Sequence, residues 1–168
     1  MSLIVTLCAG GALAQSFTTL KGHGGPIMGL AVSGEGQVAT ASFDNSVGLW
    51  DGRNPRWLEG HEAAVNAVAF LPDGRVVSAG EDFTVRLWDG AQSRIIGQHK
   101  GKVTALAIAP EPGMIASASW DGTIGLWPLA EGSGRVIKLR DSGVNDIVFG
   151  NDGDSLFAAT TKGEVLLF

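Results

Sequence analysis

Leu49-Trp50-Asp51, Leu87-Trp88-Asp89 and Leu126-Trp127-Pro128 close three stretches of chain in which the same kinds of residue fall at the same places. The tryptophans stand 38 and 39 residues apart, and Leu167-Phe168 follows 41 residues after the last of them. A fixed period of about 20–50 residues marks a chain built of stacked copies of one supersecondary unit. Upstream of each tryptophan the hydrophobic pattern has period two. Ile27–Val32, Val65–Phe70 and Val103–Ile108 alternate as half-buried strands do. Gly34-Glu35-Gly36, Pro72-Asp73-Gly74 and Pro110-Glu111-Pro112-Gly113 follow, where Pro presets φ and Gly supplies the positive φ of a tight turn.

Second strands of small and β-branched residues come next: Val38–Ser42, Val76–Gly80 and Ile115–Ser119. Turns containing Asp44, Asp82 and Asp121 lead into third strands that end on the tryptophans. Arg56-Trp57-Leu58, Arg94-Ile95-Ile96 and Val136–Leu139 supply fourth, outer strands. Four short strands in about 40 residues, with no helical period competing, make one blade of a β-propeller. The fold expected is all-β with four blades, an arc of a larger seven- or eight-bladed propeller. Units are placed at about 23–60, 61–98, 99–139 and 140–168, within a repeat domain of 17–168. Phe17-Thr18-Thr19-Leu20 reads as an outer strand without a blade of its own, and the apolar run Val165–Phe168 reads as the end of a cut propeller.

In these residues the chain resembles the WD40-repeat family. Gly22-His23 and Gly60-His61 open two units, and Trp50-Asp51 and Trp88-Asp89 close their third strands. The third unit departs at Gln98-His99 and Trp127-Pro128, and the fourth keeps only the hydrophobic pattern. The resemblance implies a buried hydrogen-bonded set in each blade: His23-Thr40-Asp44-Trp50, His61-Ser78-Asp82-Trp88 and His99-Ser117-Asp121-Trp127. Arg140, Ala158, Lys162 and Phe168 stand at those places in the fourth unit. It also implies that partners are met at blade tips, three and five residues after the His and one before the Asp. The partner-binding candidates are Met28, Phe43, Asn66, Glu81, Lys102, Thr104, Trp120 and Asn145, of which the aromatics Phe43 and Trp120 are of the type that dominates interfaces. A protein or peptide is the partner expected.

His, Ser and Asp in one chain also suggest a hydrolase triad. The same set recurring three times at fixed spacing argues for architecture instead, because one active site needs it once. All three His residues belong to the repeats, so no spare imidazole is left for catalysis or for a zinc site. No cofactor, metal or enzymatic activity is expected. The balance of 17 acidic against 12 basic residues argues against nucleic acid, whose phosphates demand clustered Lys and Arg.

Residues 1–16, MSLIVTLCAGGALAQS, combine an apolar stretch with Ala12-Leu13-Ala14, a small-x-small cleavage site without the usual basic start. Residues 1–14 are read as a signal peptide, which places the protein in the periplasm or outside the cell; as a first apolar strand they would leave it in the cytoplasm. Cleavage after Ala14 would remove Cys8, the single cysteine, and Leu7 before it is bulkier than lipid attachment prefers. As an alternative function, exported proteins similar to this one join such a propeller to a c-type cytochrome segment, which here would lie beyond Phe168.

Overall fold

The computed structural model describes residues 17–110, 113–130 and 132–168. They form four antiparallel sheets in chain order. Blade 1 is β1 (Ile27–Val32), β2 (Val38–Ser42), β3 (Ser46–Asp51) and β4 (Asn54–Glu59). Blade 2 is β5 (Val65–Phe70), β6 (Val76–Gly80), β7 (Thr84–Asp89) and β8 (Gln92–Gln98). Blade 3 is β9 (Val103–Ile108), β10 (Met114–Ser119), β11 (Thr123–Pro128) and β12 (Arg135–Lys138). Blade 4 is β13 (Val144–Phe149), β14 (Leu156–Thr160) and β15 (Val165–Leu167). Each strand pairs with its sequence neighbour, so every blade is a meander, and no helix occurs among the described residues. The blades follow one another along an open arc.

Two expectations about the ends are corrected. Phe17–Leu20 forms no strand: it belongs to none of the sheets, and Phe17 is 88% exposed. Blade 4 accordingly has three strands where its predecessors have four. The reason is common to both. An outer strand needs a third-strand edge beside it, the third strand of blade 1 is already paired with β4, and the free edge of β15 belongs to the opposite end of the arc.

Three apolar layers lie between successive blades, and side chains from both neighbours fill each. Ala39, Ala41, Val47 and Leu49 of blade 1 pack with Val65, Val68, Val76 and Trp88 of blade 2. Val77, Ala79, Val85 and Leu87 of blade 2 pack with Val103, Ile115 and Trp127 of blade 3. Ala116, Ala118 and Ile124 of blade 3 pack with Val144, Ile147 and Leu156 of blade 4. Burial of the middle two strands of blades 1 to 3 on both faces explains their near-continuous small and branched residues, since few positions on them face water. Trp127 packs so closely on Gly97, Gly125 and Gly134 that a β-carbon at any of the three would overlap the indole.

One irregularity recurs in every blade. The inner strand skips a partner at Met28, Asn66, Thr104 and Asn145, each the extra residue of a β-bulge. A bulged residue leaves the ladder and its side chain is re-aimed. The bulges thus set the direction of four of the eight candidate tip residues.

Candidate functional site

The polar set of blade 2 is a single chain of bonds. Trp88 Nε1 donates to Ser78 Oγ at 2.7 Å, Ser78 Oγ lies 2.7 Å from His61 Nε2, and His61 Nδ1 lies 2.8 Å from Asp82 Oδ2. An indole nitrogen only donates and an ionised carboxylate only accepts, so one direction satisfies every atom of a neutral imidazole. Trp88 gives to Ser78, the Ser78 hydroxyl gives to His61 Nε2, and His61 Nδ1–H gives to Asp82. Asp82 also accepts from the Thr84 amide and hydroxyl and from the Glu62 amide. Burial pushes the Asp82 carboxyl up, but the His61 bond and the Thr84 donors outweigh it and hold it well below the ordinary carboxylate range.

Blade 1 repeats the arrangement with Trp50, Thr40, His23 and Asp44 at 2.8, 2.7 and 2.8 Å. The His23 side chain is 3% exposed and lies edge-on to Trp57 of the outer strand. Blade 3 differs. Trp127 donates to Ser117 and Ser117 meets His99 Nε2, both at 2.7 Å, but His99 Nδ1 donates to Thr123 Oγ1 at 2.7 Å and stands 3.9 Å from Asp121. The direct His99–Asp121 contact implied by the resemblance is therefore replaced by a relay through the Thr123 hydroxyl, which donates to Asp121 at 2.5 Å. Burial without a carboxylate in contact depresses the His99 pKa, and the charge of Asp121 offsets this only in part.

A hydroxyl two residues after the Asp completes all three turns. Ser46, Thr84 and Thr123 each bond the Asp carboxylate through both amide and side chain. The sequence carries this signal as Asp-x-Ser/Thr in three units, a pattern whose role only the turn geometry makes plain. Blade 4 has none of these sets: Ala158 is buried in the apolar layer, and Thr160 Oγ1 takes over the turn by accepting from the Lys162 and Glu164 amides. Every buried side-chain nitrogen and oxygen among the described residues has a partner. The serines cannot serve as nucleophiles in this arrangement. Ser78 and Ser117 are fully buried and pinned between indole and imidazole, with no room for an acyl group.

The tip residues are placed by a second repeated bond. The amide before the turn Asp donates to the loop ahead of the inner strand: Phe43 to Pro26, Glu81 to Ala64, Trp120 to Lys102 and Thr161 to Gly143, at 2.8–3.1 Å. These pairs stand side by side at the His/Asp end of every blade, including the fourth. From blade 2 to blade 4 the side chains then link across blades. Glu81 Oε1 lies 3.5 Å from Lys102 Nζ, that ammonium sits 3.6 Å over the Trp120 ring, and Trp120 Nε1 donates to Asn145 Oδ1 at 3.1 Å. Asn66 and Thr104, aimed by their bulges, donate to the Val103 and Val144 carbonyls of the following blades at 2.9 and 2.8 Å. Their polar groups are thus engaged in joining blades.

Met28, Phe43 and Trp120 remain about half exposed, at 51%, 46% and 52%. A groove of 340 Å³ opens beside Trp120, walled by Asp121, Lys138, Asp141 and Ser142. Sequence reasoning missed one further aromatic, Phe83, which is 40% exposed and holds φ at 68°. The same turn position is Asn45, Gly122 and Gly163 elsewhere, the residue types suited to left-handed backbone, so Phe83 was visible as the exception. No group of three or more His, Cys, Asp or Glu side chains placed to hold a metal occurs among the described residues.

The family model described as WD domain, G-beta repeat matches residues 14–51, 52–89 and 90–128. The second and third matches each begin just ahead of an outer strand and end on the third strand of the following blade, as β4 through β7 do for the second. No curated protein matches the chain. With three consecutive repeats in register, their tryptophans, histidines and hydroxyls bonded alike, the chain belongs to the WD40-repeat family.

Proposed function

We propose that the protein is an interaction scaffold that takes a protein or peptide segment across the His/Asp end of the arc, centred on Trp120. WD40 domains generally bind proteins and are generally non-catalytic, which supports the reading at family level. The observation that carries it here is the half-exposed Trp120, fixed by Lys102 on its face and Asn145 at its edge, beside an open polar groove. A rigid aromatic loses little entropy on binding and offers a large area to a partner, the character of an interface hot spot. Phe43, Met28 and Phe83 extend apolar contact along blades 1 and 2, while Asn66 and Thr104 hold the blades together beneath. The sequence of residues 1–16, which lie outside the described residues, supports export as the setting.

Selection of a peptide by display against the wild-type chain, followed by calorimetric titration, tests this. Trp120→Ala is expected to weaken the selected peptide by over ~1 kcal/mol, about fivefold or more, at an unchanged melting temperature. Ser117→Ala in the same blade is expected to lower the melting temperature first. A folded Trp120→Ala protein that binds as wild type would remove this surface from consideration.

A further inference from the structure

A cavity of about 300 Å³ opens on blade 3 beside its polar set, lined by Gln98, His99, Asp121, Thr123 and Val136. Blades 2 and 4 flank blade 3, so the cavity is internal to the arc. Blades 1 and 2 fill the same place with a side chain. A β-carbon on Gly22, ahead of His23, would lie 2.8 Å from the Trp57 ring, and one on Gly60, ahead of His61, would lie 3.4 Å from Arg86 Nη1. Trp57 stands edge-on to His23 with ring centres 4.6 Å apart, and Arg86 Nε lies 3.3 Å from Thr84 Oγ1. Trp57 faces Gly48 across β3 and β4, Arg86 faces Ile95 across β7 and β8, and Gly125 faces Val136 across β11 and β12. Blade 3 therefore has Val136 where blade 1 has its Trp, and Gly125 where blade 2 has its Arg. Neither reaches over His99, and Val136 is 50% exposed.

The cavity also holds an acceptor that the other two blades use up. Asp44 Oδ2 accepts from His23 and the Gly24 amide, and Asp82 Oδ2 from His61 and the Glu62 amide. Asp121 Oδ2 accepts from the Lys100 amide at 2.6 Å and from no imidazole, because His99 is turned to Thr123. A carboxylate oxygen offers about two acceptor sites, so one remains. The exposed Lys100 and Lys138 complete the lining. A guanidinium, the filling of blade 2, would be repelled by both ammonium groups. An aromatic ring, the filling of blade 1, offers them its face, as Trp120 does to Lys102. An indole also brings one N–H that needs a partner once buried.

From this we infer that the blade 3 cavity receives a tryptophan side chain of a partner protein. Its ring stands against Val136, where Trp57 stands in blade 1, and its Nε1–H donates to Asp121 Oδ2. The volume lies at the lower end of the roughly 300–1,000 Å³ of ligand sites, which suits one side chain. Asp121 and Lys138 also wall the groove beside Trp120, but Trp120 does not line this cavity, so the site goes beyond the peptide surface proposed above.

Titration of the ¹⁵N-labelled full chain with N-acetyl-tryptophanamide, followed by amide chemical shifts, tests the proposal. Saturable shifts are expected at Gln98, His99, Thr123 and Val136. The same probe methylated on its indole nitrogen is expected to bind about fivefold weaker or more, and N-acetyl-argininamide weaker than either. Val136→Trp supplies the ring from the chain itself and is expected to abolish the titration without lowering the melting temperature; Val136→Phe replaces it if it fails to fold. Trp120→Ala is expected to keep the titration, so failure of the peptide surface and failure of this site are read separately. Absence of shifts at these amides, equal binding of the methylated probe, tighter binding of the arginine probe, titration of the filled variant, or its loss in a folded Trp120→Ala protein would each overturn the inference.

Discussion

Phe83 shows how one residue can run against its neighbourhood. The turn between β6 and β7 requires left-handed backbone, and blades 1, 3 and 4 meet that requirement with Asn45, Gly122 and Gly163. A bulky L side chain there costs about 1–2 kcal/mol, and the phenyl ring recovers little of it, being 40% exposed. Phe83→Asn is therefore expected to raise stability by about 1 kcal/mol, read as a higher urea midpoint at unchanged slope. A lower midpoint would show that the ring packs well enough to outweigh the strain. Backbone strain of this kind clusters at ligand clamps and switch regions, so the same variant is worth titrating with any peptide selected on Trp120.

At the scale of a blade, the polar chain makes the element sensitive to acid. Asp82 is held below its ordinary range in the folded state, so its contribution is complete above pH ~4 and is lost as pH falls further. The folded His99 also has a lowered pKa, which favours the neutral ring; its contribution is complete above pH ~6.5 and is lost as pH falls below that. Stability should therefore decline in two stages on acidification, a shallow one starting near pH ~6.5 and a steep one below pH ~4. Asp82→Ala leaves the His61 and Thr84 donors unpaired and should cost roughly 1–3 kcal/mol at neutral pH while flattening the steep stage. Lys162→Ala, at the corresponding turn of blade 4, removes an exposed side chain with no such role and should fall within about 0.5 kcal/mol of wild type. Equal urea midpoints for these two variants would show that the blade 2 chain adds nothing to stability.

The molecule as a whole is a row of sheets glued by layers to which each blade contributes half. Its stability is then close to a sum of blade and junction contributions, as in other repeat architectures. Leu87 belongs to the layer between blades 2 and 3 and is buried, so Leu87→Ala should cost about 2–5 kcal/mol through lost burial and the void left behind. Ile95, on the outer strand β8 of the same blade, is half exposed, and Ile95→Ala should cost less than about 1 kcal/mol. Comparable losses in urea melts would place the stabilising layer within blades and not between them.

The repeat, the strand order within each blade and the turn positions were legible in the sequence, because each depends on residues near one another in the chain, whereas the membership of the polar sets came from the family resemblance, its His and Asp standing 21 residues apart in blades 1 and 2. A period-two pattern, a Gly or Pro turn and a Trp at the end of a third strand are local properties, and copying them three times makes them unmistakable. The relay through Thr123 depends on how the His99 ring is seated within blade 3, and the engagement of Asn66 and Thr104 with the next blade and the pairing of Lys102 with Glu81 depend on how one blade stands against another. So does the missing fourth strand of blade 4, since an outer strand forms only where a free edge lies within reach. Such distances of a few tenths of an ångström to a few ångströms are set by the packing of the interblade layers, to which no single stretch of sequence corresponds.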